Sequence, residues 1–281
     1  MKKVLTIAGS DSSGGAGIQA DIKTITAHKM YAMSAVTALT AQNTTGVFGV
    51  LSAGADFVAA QIDACWDDIA PDAVKIGMLG DADVMKAVAQ ALRTRGAKRV
   101  VLDPVMVATS GGALMAENAL ETLKSELLPL ATLLTPNIPE AQALCGAKIS
   151  NLNDMREAAR TIWESAWGNS NLKPRNATAG AVLVKGGHLC DNSNLNNESI
   201  DILFDGRKFF EFKAAAVATK NTHGTGCTLS SAIACALAAG LDTRSAVAHG
   251  KNFVTRTLAW SEQIGHGNGA IDHYFNIPSI F

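Results

Sequence analysis

The stretch Val4-Leu-Thr-Ile-Ala8, which leads directly into Gly9-Ser-Asp-Ser-Ser-Gly-Gly-Ala-Gly17, decides the fold. Its apolar residues predict a short buried strand, and the glycine-rich turn is followed by a helical pattern. Apolar runs of the same kind recur along the chain, at 35–40, 73–76, 99–102, 130–134 and 181–184. Strands that are apolar throughout are typical of a sheet with helices on both faces. The sequence therefore predicts a doubly wound α/β fold with a largely parallel central sheet.

The strand–helix pattern of the 281 residues predicts one domain rather than two. Length alone would suggest domains of about 150 residues each, but α/β folds often reach about 250 residues as one unit. No long Pro/Ser-rich linker separates the strand–helix units, so residues 1–281 are expected to form a single domain. Polar stretches at 167–178 and 191–199 interrupt the pattern and are predicted to be surface loops.

Charge and cysteine content exclude several classes of protein. The 24 Lys and Arg residues against 25 Asp and Glu leave a net charge of −1, which argues against a broad nucleic-acid-binding surface. The longest apolar run, 232–241, is about half as long as the roughly 20 residues of a membrane span. Five scattered cysteines without a CxxC pair signal neither a disulfide framework nor a zinc site. We therefore expect a cytoplasmic protein that binds neither nucleic acid nor membrane.

The glycine-rich turn after the first strand is a candidate ligand-binding loop. Glycines let the backbone approach a ligand closely, and the helix that follows offers free N–H groups. The glycines at 9, 14, 15 and 17 lack the spacing of the dinucleotide fingerprint, and no P-loop motif is present. The alternative is a purely structural turn.

Two acidic residues follow neighbouring strands of the predicted sheet. Asp103 comes directly after the apolar run at 99–102, and Glu140 follows Asn137 after the run at 130–134. Because ligands bind outside the carboxyl ends of parallel strands, we expect these side chains to meet there. Two carboxylates and an amide oxygen suit Mg²⁺, which shares its shell with water and phosphate. The alternative is that Glu140 is only a first-turn helix acid and Asp103 only a polar strand end.

The sequence His223-Gly-Thr-Gly-Cys227 opens an alanine-rich helix. Gly224 and Gly226 allow successive amides to converge on an anion, and the helix N-terminus adds partial positive charge. That environment predicts a lowered thiol pKa for Cys227. The alternatives are a buried inert cysteine and glycines needed only for helix packing. Lys185, at the end of the run 181–184, is either a phosphate-neutralising lysine or a solvated turn residue.

Taken together, these residues resemble the hydroxymethylpyrimidine/phosphomethylpyrimidine kinases of the ribokinase-like superfamily. Seven motifs carry the resemblance in order along nearly the whole chain: 5–21 (LTIAGSDSSGGAGIQAD), 37–44 (TALTAQNT), 75–79 (KIGML), 101–106 (VLDPVM), 134–141 (LTPNIPEA), 184–188 (VKGGH) and 221–228 (NTHGTGCT). The resemblance implies a three-layer α/β/α kinase domain and, because family members are homodimers, a homodimer.

The resemblance also implies an activity, in which Mg-ATP phosphorylates 4-amino-5-hydroxymethyl-2-methylpyrimidine to its monophosphate and then to its diphosphate, in thiamine biosynthesis. Residues at the pyrimidine-contact positions of the family are Gly9, Asp21, Gln42, Met78 and Val105. Those assigned to the ATP side are Lys185, Thr222, His223 and Asn137, and those assigned to magnesium are Asp103 and Glu140. The catalytic loop is Gly224-Thr225-Gly226-Cys227, with Cys227 in the place where most ribokinase-like sugar kinases have an aspartate base.

Two other functions stay open on the sequence. A cysteine-containing branch of the same family phosphorylates vitamin B6 alcohols, so a pyridoxal kinase is the nearest alternative. Gln42 favours the aminopyrimidine, because its amide offers both a donor and an acceptor to the ring. The other alternative is a non-catalytic nucleotide sensor, which the combination of a candidate base, magnesium acids and an anion-binding loop argues against.

Overall fold

The computed structural model of the chain describes residues 1–106, 119–168, 180–187 and 198–275. Its strands are β1 Lys3–Asp11, β2 Tyr31–Asn43, β3 Gly46–Ser52, β4 Ala73–Ile76, β5 Val100–Leu102, β6 Leu133–Leu134, β7 Ala181–Val184, β8 Glu198–Phe204 and β9 Phe209–Ala215. Its helices are α1 Gly17–Ala27, α2 Ala55–Ile69, α3 Ala82–Arg95, the short α4 Ala119–Thr122, α5 Ile138–Cys145, α6 Leu152–Trp167, α7 Thr225–Ala238 and α8 Thr243–Trp260.

The strands form one sheet in the order β3-β2-β1-β4-β5-β6-β7-β8-β9. The six strands from β2 to β7 in that order are parallel, whereas β3 and β8 pair antiparallel with their neighbours. The predicted doubly wound, largely parallel sheet is confirmed. The edge strand β3 was not among the predicted strands, because its residues are exposed or only partly buried and do not form a continuous apolar run.

Helices cover both faces of the sheet. One face packs against α2, α3 and α6 through Ile62, Val88 and Ile162, and the other packs against α1, α7 and α8. The strand β1 shows why the sequence is apolar throughout: Leu5 belongs to the first core, its neighbour Val4 to the second, and neither is exposed. Burial on both faces therefore replaces the alternating pattern of a one-sided sheet.

The helices differ in whether a side chain caps their first turn. Side chains cap α3, α5, α6 and α8, where Asp81, Asn137, Asn151 and Asp242 accept hydrogen bonds from first-turn N–H groups. By contrast α1, α2 and α7 have no side-chain cap, and of these α1 and α7 follow the two glycine-rich loops. Their first N–H groups are left to other acceptors.

No helix among the described residues combines the length and the apolar character that crossing a membrane requires. The predicted loops at 167–178 and 191–199 lie almost wholly outside the described residues.

Candidate active site

The two glycine-rich loops touch each other at the carboxyl edge of the sheet. A Cβ on Gly224 would lie 1.9 Å from the carbonyl oxygen of Gly15, and one on Gly15 would lie 2.3 Å from Cδ2 of His223. Gly224 also has a φ of +88°, a left-handed conformation that favours glycine. Glycine is therefore required at both positions for the loops to meet.

Asp11 joins the two loops. Its carboxylate accepts hydrogen bonds from the backbone N–H groups of Ser13, Gly15 and Ala16, and lies 2.7 Å from Nε2 of His223. Burial alone would raise the pKa of Asp11, but the bonds from His223, Ser13 and Ala16 lower it to about 2. The carboxylate is therefore charged at neutral pH and holds the first loop in shape. Asp11 was not among the predicted site residues, although it lies inside the predicted loop.

His223, predicted on the ATP side, turns its ring toward the first loop. Only 3% of the residue is exposed, and the Gln42 amide nitrogen lies 3.4 Å from its Nε2. Gln42 also accepts a 3.2 Å hydrogen bond from Thr40 Oγ1. The structure thus brings His223 beside Gln42, and its contact with ATP stays a prediction.

The predicted pyrimidine contacts divide into two groups. Gly9 and Met78 lie together, since a Cβ on Gly9 would be 3.0 Å from Cε of Met78. Val105 follows β5, and its N–H donates to the Asp103 carbonyl at 2.8 Å. Asp21 stands apart, because it is fully buried and engaged by protein donors. The role of these residues toward a pyrimidine stays a prediction.

Asp21 forms a closed ion pair with Lys75 inside the fold. Its Oδ2 accepts from Lys75 Nζ at 2.8 Å and from Thr6 Oγ1 at 2.6 Å, and its Oδ1 accepts from Ser231 Oγ at 2.7 Å. Neither charged side chain is exposed. Burial alone would lower the pKa of Lys75, but Asp21 raises it above its ordinary value. Lys75 was not among the predicted site residues, and its signal in the sequence is a lone lysine inside an apolar strand.

Asp103 and Glu140 lie near each other, as predicted, and the positive charge of Lys185 acts on both. Lys185 Nζ lies 2.7 Å from Asp103 Oδ1, which also accepts from Thr135 Oγ1 at 2.9 Å. Burial raises the pKa of Glu140 to about 7, and Asp103 adds to that rise while Lys185 opposes it. Burial would lower the pKa of Lys185, but Asp103 and Glu140 raise it. Two acids therefore share one buried lysine.

Glu140 is also the first-turn helix acid of the alternative interpretation. Its Oε2 accepts from the Asn137 N–H at 2.8 Å, and Asn137 Oδ1 accepts from the Glu140 N–H at 2.9 Å. This capping box fixes both side chains at the start of α5. The two interpretations hold together, because the cap presents the acid to the site. A contact of Asn137 with ATP stays a prediction.

The second glycine loop lies against this acidic pair. A Cβ on Gly226 would be 3.2 Å from Asp103 Oδ2 and 3.3 Å from Lys185 Nζ. Thr225, the first residue of α7, donates its side-chain hydroxyl to the Thr222 carbonyl at 3.0 Å. The uncapped start of α7 therefore faces the acids and the lysine at close range.

The predicted lowering of the Cys227 thiol pKa is wrong in this structure. Burial raises that pKa to about 11, and the carboxylates of Asp21 and Asp103 add to the rise. Lys75 and the Gly17 N–H act in the opposite direction but do not outweigh burial. The sequence showed the helix N-terminus but not the two acids beside the sulfur.

The donor set fits a magnesium ion that is shared with phosphate. Among the described residues, no cluster of three or more His, Cys, Asp or Glu side chains is arranged to hold a metal. Asp103 and Glu140 supply two carboxylates, and Mg²⁺ is typically held by one or two carboxylates together with water and phosphate oxygens. The pKa of Glu140 is raised chiefly by burial and further by Asp103, and a bound cation would favour the charged carboxylate.

A second buried ion pair supports the turn that carries Lys185. Lys251 Nζ lies 2.8 Å from Asp201 Oδ2, and Asp201 Oδ1 accepts from the Gly186 N–H at 2.9 Å. Beside Lys251 is a cavity of about 460 Å³ between β9 and α8. Since β9 runs parallel to β7, this cavity lies at the same edge of the sheet as Lys185. Neither Lys251 nor Asp201 was predicted.

Comparison of the sequence and the fold with known proteins shows which proteins the chain is similar to. The family model for phosphomethylpyrimidine kinase matches residues 11–272. The chain is 48% identical over 270 residues to the thiamine biosynthesis bifunctional protein ThiED of Geobacter sulfurreducens, covering 96% of this chain but 52% of that protein. It is 42% identical to the hydroxymethylpyrimidine/phosphomethylpyrimidine kinase of Bacillus subtilis, covering 97% and 94%. The pyridoxal kinase of Staphylococcus aureus superposes with a TM-score of 0.85 at 33% identity, covering 99% and 96%.

Proposed function

The chain belongs to the phosphomethylpyrimidine kinase family and is a kinase, and we propose that it phosphorylates 4-amino-5-hydroxymethyl-2-methylpyrimidine twice with ATP. The first transfer gives the monophosphate and the second gives the diphosphate, in thiamine biosynthesis. The observation that carries the proposal is the meeting of two glycine-rich loops, Cys227 and the Asp103–Lys185–Glu140 group at one edge of the sheet.

The pyrimidine is proposed to bind at the first loop. Gly9 and Met78 offer a surface for the ring, and Val105 lies next to Asp103 in the segment that follows β5. The Gln42 amide presents both a donor and an acceptor, which matches the amino group and adjacent nitrogen of the ring. Asp11 supports Gln42 indirectly, since it holds His223 against the amide.

ATP is proposed to bind along the second loop. Lys185 supplies a positive charge to the phosphates, and the uncapped N–H groups of α7 add donors around Thr225 and Gly226. We place the base of ATP in the 460 Å³ cavity beside Lys251, two strands along the same edge. Asp103 and Glu140 would hold Mg²⁺. When bound there, the ion neutralises charge on the phosphate oxygens of ATP.

Cys227 is proposed as the base of the first transfer. As the thiolate, its sulfur accepts the proton of the hydroxymethyl group while that oxygen forms a bond to the γ-phosphorus and the bond from the γ-phosphorus to ADP breaks. In the second transfer the attacking oxygen belongs to a phosphate that is already anionic, so a base contributes little. The uncapped N–H groups of α7 and Lys185 stabilise the phosphoryl group in both transfers.

The direct test offers the purified protein three substrates with Mg-ATP: the aminopyrimidine alcohol, its monophosphate and pyridoxal. We expect kcat/KM for the alcohol and its monophosphate to exceed that for pyridoxal by at least about tenfold, the effect of one hydrogen-bonded recognition group. Turnover of pyridoxal alone would assign the chain to the other branch of the family. ATP binding without turnover of any of the three would leave the nucleotide sensor.

Cys227→Ala separates the two transfers. We expect it to lower kcat of the first transfer by about 10²- to 10⁴-fold, the usual contribution of a general base, and that of the second much less. In the wild type, kcat of the first transfer should also rise with pH toward the thiol pKa of about 11. Equal losses in both transfers would remove Cys227 from the role of base but leave the anion-binding loop in place.

We also propose a homodimer formed through the exposed edge of the sheet at β2 and β3. Leu39, Phe48, Val50 and Leu51 are each more than half exposed there, and β3 is an edge strand whose backbone can pair with another chain. Sedimentation of Phe48→Asp beside the wild type tests this: a monomer is expected for the variant. A variant that sediments as the wild type does would place the dimer elsewhere.

We also propose the compartment in which the enzyme acts and the residues that form its catalytic domain. Cys65, Cys145, Cys227 and Cys235 are free thiols in the described part of the chain, which supports a cytoplasmic enzyme. We propose that residues 1–281 act as one catalytic domain, because strands from Lys3 to Ala215 build a single sheet.

A further inference from the structure

Lys75 is a buried cation without a role in the two phosphoryl transfers described above. It lies in β4 with an exposure of 0%, and its Nζ would be 2.7 Å from a Cβ on Gly77. The ammonium therefore extends along the strand toward the carboxyl edge, where the site lies. In the part of the chain that the structure describes, its hydrogen-bond partner is Asp21.

Two helices place this ion pair directly beside Cys227. Ser231, which donates to Asp21, follows Cys227 by four residues in α7, so the two side chains share one face of that helix. Likewise Asp21 follows Gly17 by four residues in α1, and the Gly17 N–H acts on the Cys227 sulfur, where it opposes the rise in the thiol pKa. In each helix, the residue at the sulfur thus lies one turn closer to the N-terminus of the helix than the residue at the ion pair.

Four charged groups face the sulfur from the elements packed around it. Lys75 on β4 and Lys185 after β7 are positive, and Asp21 on α1 and Asp103 after β5 are negative. Asp21 shares its negative charge among three donors, of which Thr6 and Ser231 are neutral. Among these four groups Lys75 has the largest effect on the pKa of the Cys227 thiol, and it acts to lower that pKa.

We infer that Lys75 is a positioning residue for the first phosphoryl transfer, whose buried ammonium stabilises negative charge on the Cys227 sulfur. The inference rests on the proposed role of Cys227 as base. Asp21 keeps the lysine charged and fixed, and hydrogen bonds from Thr6 and Ser231 hold the aspartate in place. The pair therefore acts as an oriented dipole with its positive end toward the sulfur.

The test measures how fast iodoacetamide alkylates Cys227, read on its own peptide by mass spectrometry, without ATP or pyrimidine. The variant is Asp21→Asn/Lys75→Met, which removes both charges and leaves no lone buried ion. At pH 8 we expect alkylation about tenfold slower than in the wild type, because loss of the nearby cation leaves less thiolate. Ser231→Ala is the matched control: it removes one bond to Asp21 but no charge, and its rate should stay within about twofold.

An unchanged or faster rate in the double variant would overturn the inference, since a merely structural pair would loosen the site and expose the sulfur. If the double variant does not fold, Asp21→Asn/Lys75→Gln takes its place. That variant also removes both charges, its two amides can hydrogen-bond each other, and the same slowing is expected.

Kinetic measurements test whether the charge of Lys75 contributes to the first phosphoryl transfer. The double variant should lower kcat of the first transfer more than that of the second, and should have no such selective effect in a Cys227→Ala background. A selective effect that persists without Cys227 would contradict the inference. A wild-type chain that turns over no pyrimidine would instead overturn the proposed function, while the alkylation result would still decide the electrostatic role of Lys75.

Discussion

Two buried Asp–Lys pairs of almost equal length lie side by side in this fold and differ in what surrounds them. Lys75 and Asp21 are 2.8 Å apart with neither side chain exposed, and both oxygens of Asp21 are bonded. Lys185 and Asp103 are 2.7 Å apart, but 14% of the Lys185 side chain is exposed and Glu140 adds a second acid. The closed pair has one acid for one lysine, whereas the open group has two acids for one lysine.

The difference shows how similar residues serve different purposes. The charges of the closed pair are held by protein groups, so the pair can act on the reaction through neighbours such as Cys227. The group with two acids and one partly exposed lysine can bind a cation and leaves a lysine near incoming phosphate. Separate mutation of the two lysines should therefore affect stability in one case and catalysis in the other.

The largest expected effect is loss of stability in Lys75→Met. This change leaves the Asp21 carboxylate buried without a cation, and breaking a buried pair in this way costs about 3–5 kcal/mol of the free energy of unfolding. Urea denaturation measures the loss. Asp21→Asn/Lys75→Met should recover at least half of it, because no charge is left unpaired. A single variant within about 1 kcal/mol of the wild type would show that the pair is not the closed structure described.

The next effect is loss of catalysis in Lys185→Met. Removing one positive group from the phosphates should lower kcat/KM for ATP by about 10²- to 10³-fold, as for other groups that stabilise a transition state. The loss of stability should be smaller than in Lys75→Met, because solvent reaches this site and Glu140 can take a proton. The exposed Lys208 in the β8–β9 turn gives the control, and Lys208→Met should leave both quantities unchanged. Unfolding as severe as in Lys75→Met would remove the contrast between the two pairs.

Much of this fold was predictable, because a strand that is buried on both faces is apolar throughout in the sequence. The strands at 73–76 and 181–184 have the predicted bounds, since both faces of each are covered by helices. The meeting of Asp103 and Glu140 followed from the same logic, because β5 and β6 are neighbours and parallel. Edge strand β3 escaped prediction, since little of it is buried.

What the sequence could not supply was the set of charges around one atom. The Cys227 pKa depends on Asp21 and Asp103, which are more than 100 residues away in the chain. No periodicity marks such neighbours. Lys75 was hidden for the same reason: in the sequence it interrupts an apolar strand, and only the fold reveals the aspartate that balances it.

The smallest expected effect concerns pH and the open group. Because the pKa of Glu140 is raised to about 7, the fold favours the neutral acid, and the carboxylate needed for Mg²⁺ is lost as the pH falls through that value. The apparent Kd for Mg²⁺ in the kinase assay should be about tenfold weaker at pH 6 than at pH 8.

Glu140→Gln isolates the contribution of that one acid. Glutamine keeps the capping box with Asn137 but stays neutral, so Mg²⁺ binding should be weak at both pH values. The pH dependence that ATP itself brings is common to both proteins and cancels in the comparison. By linkage, stability from neutral Glu140 is complete below about pH 4.5 and lost as pH rises through about 7, so the variant should be at least as stable as the wild type at pH 8. An equal pH dependence of Mg²⁺ binding in the two proteins would mean that Asp103 holds the ion without Glu140.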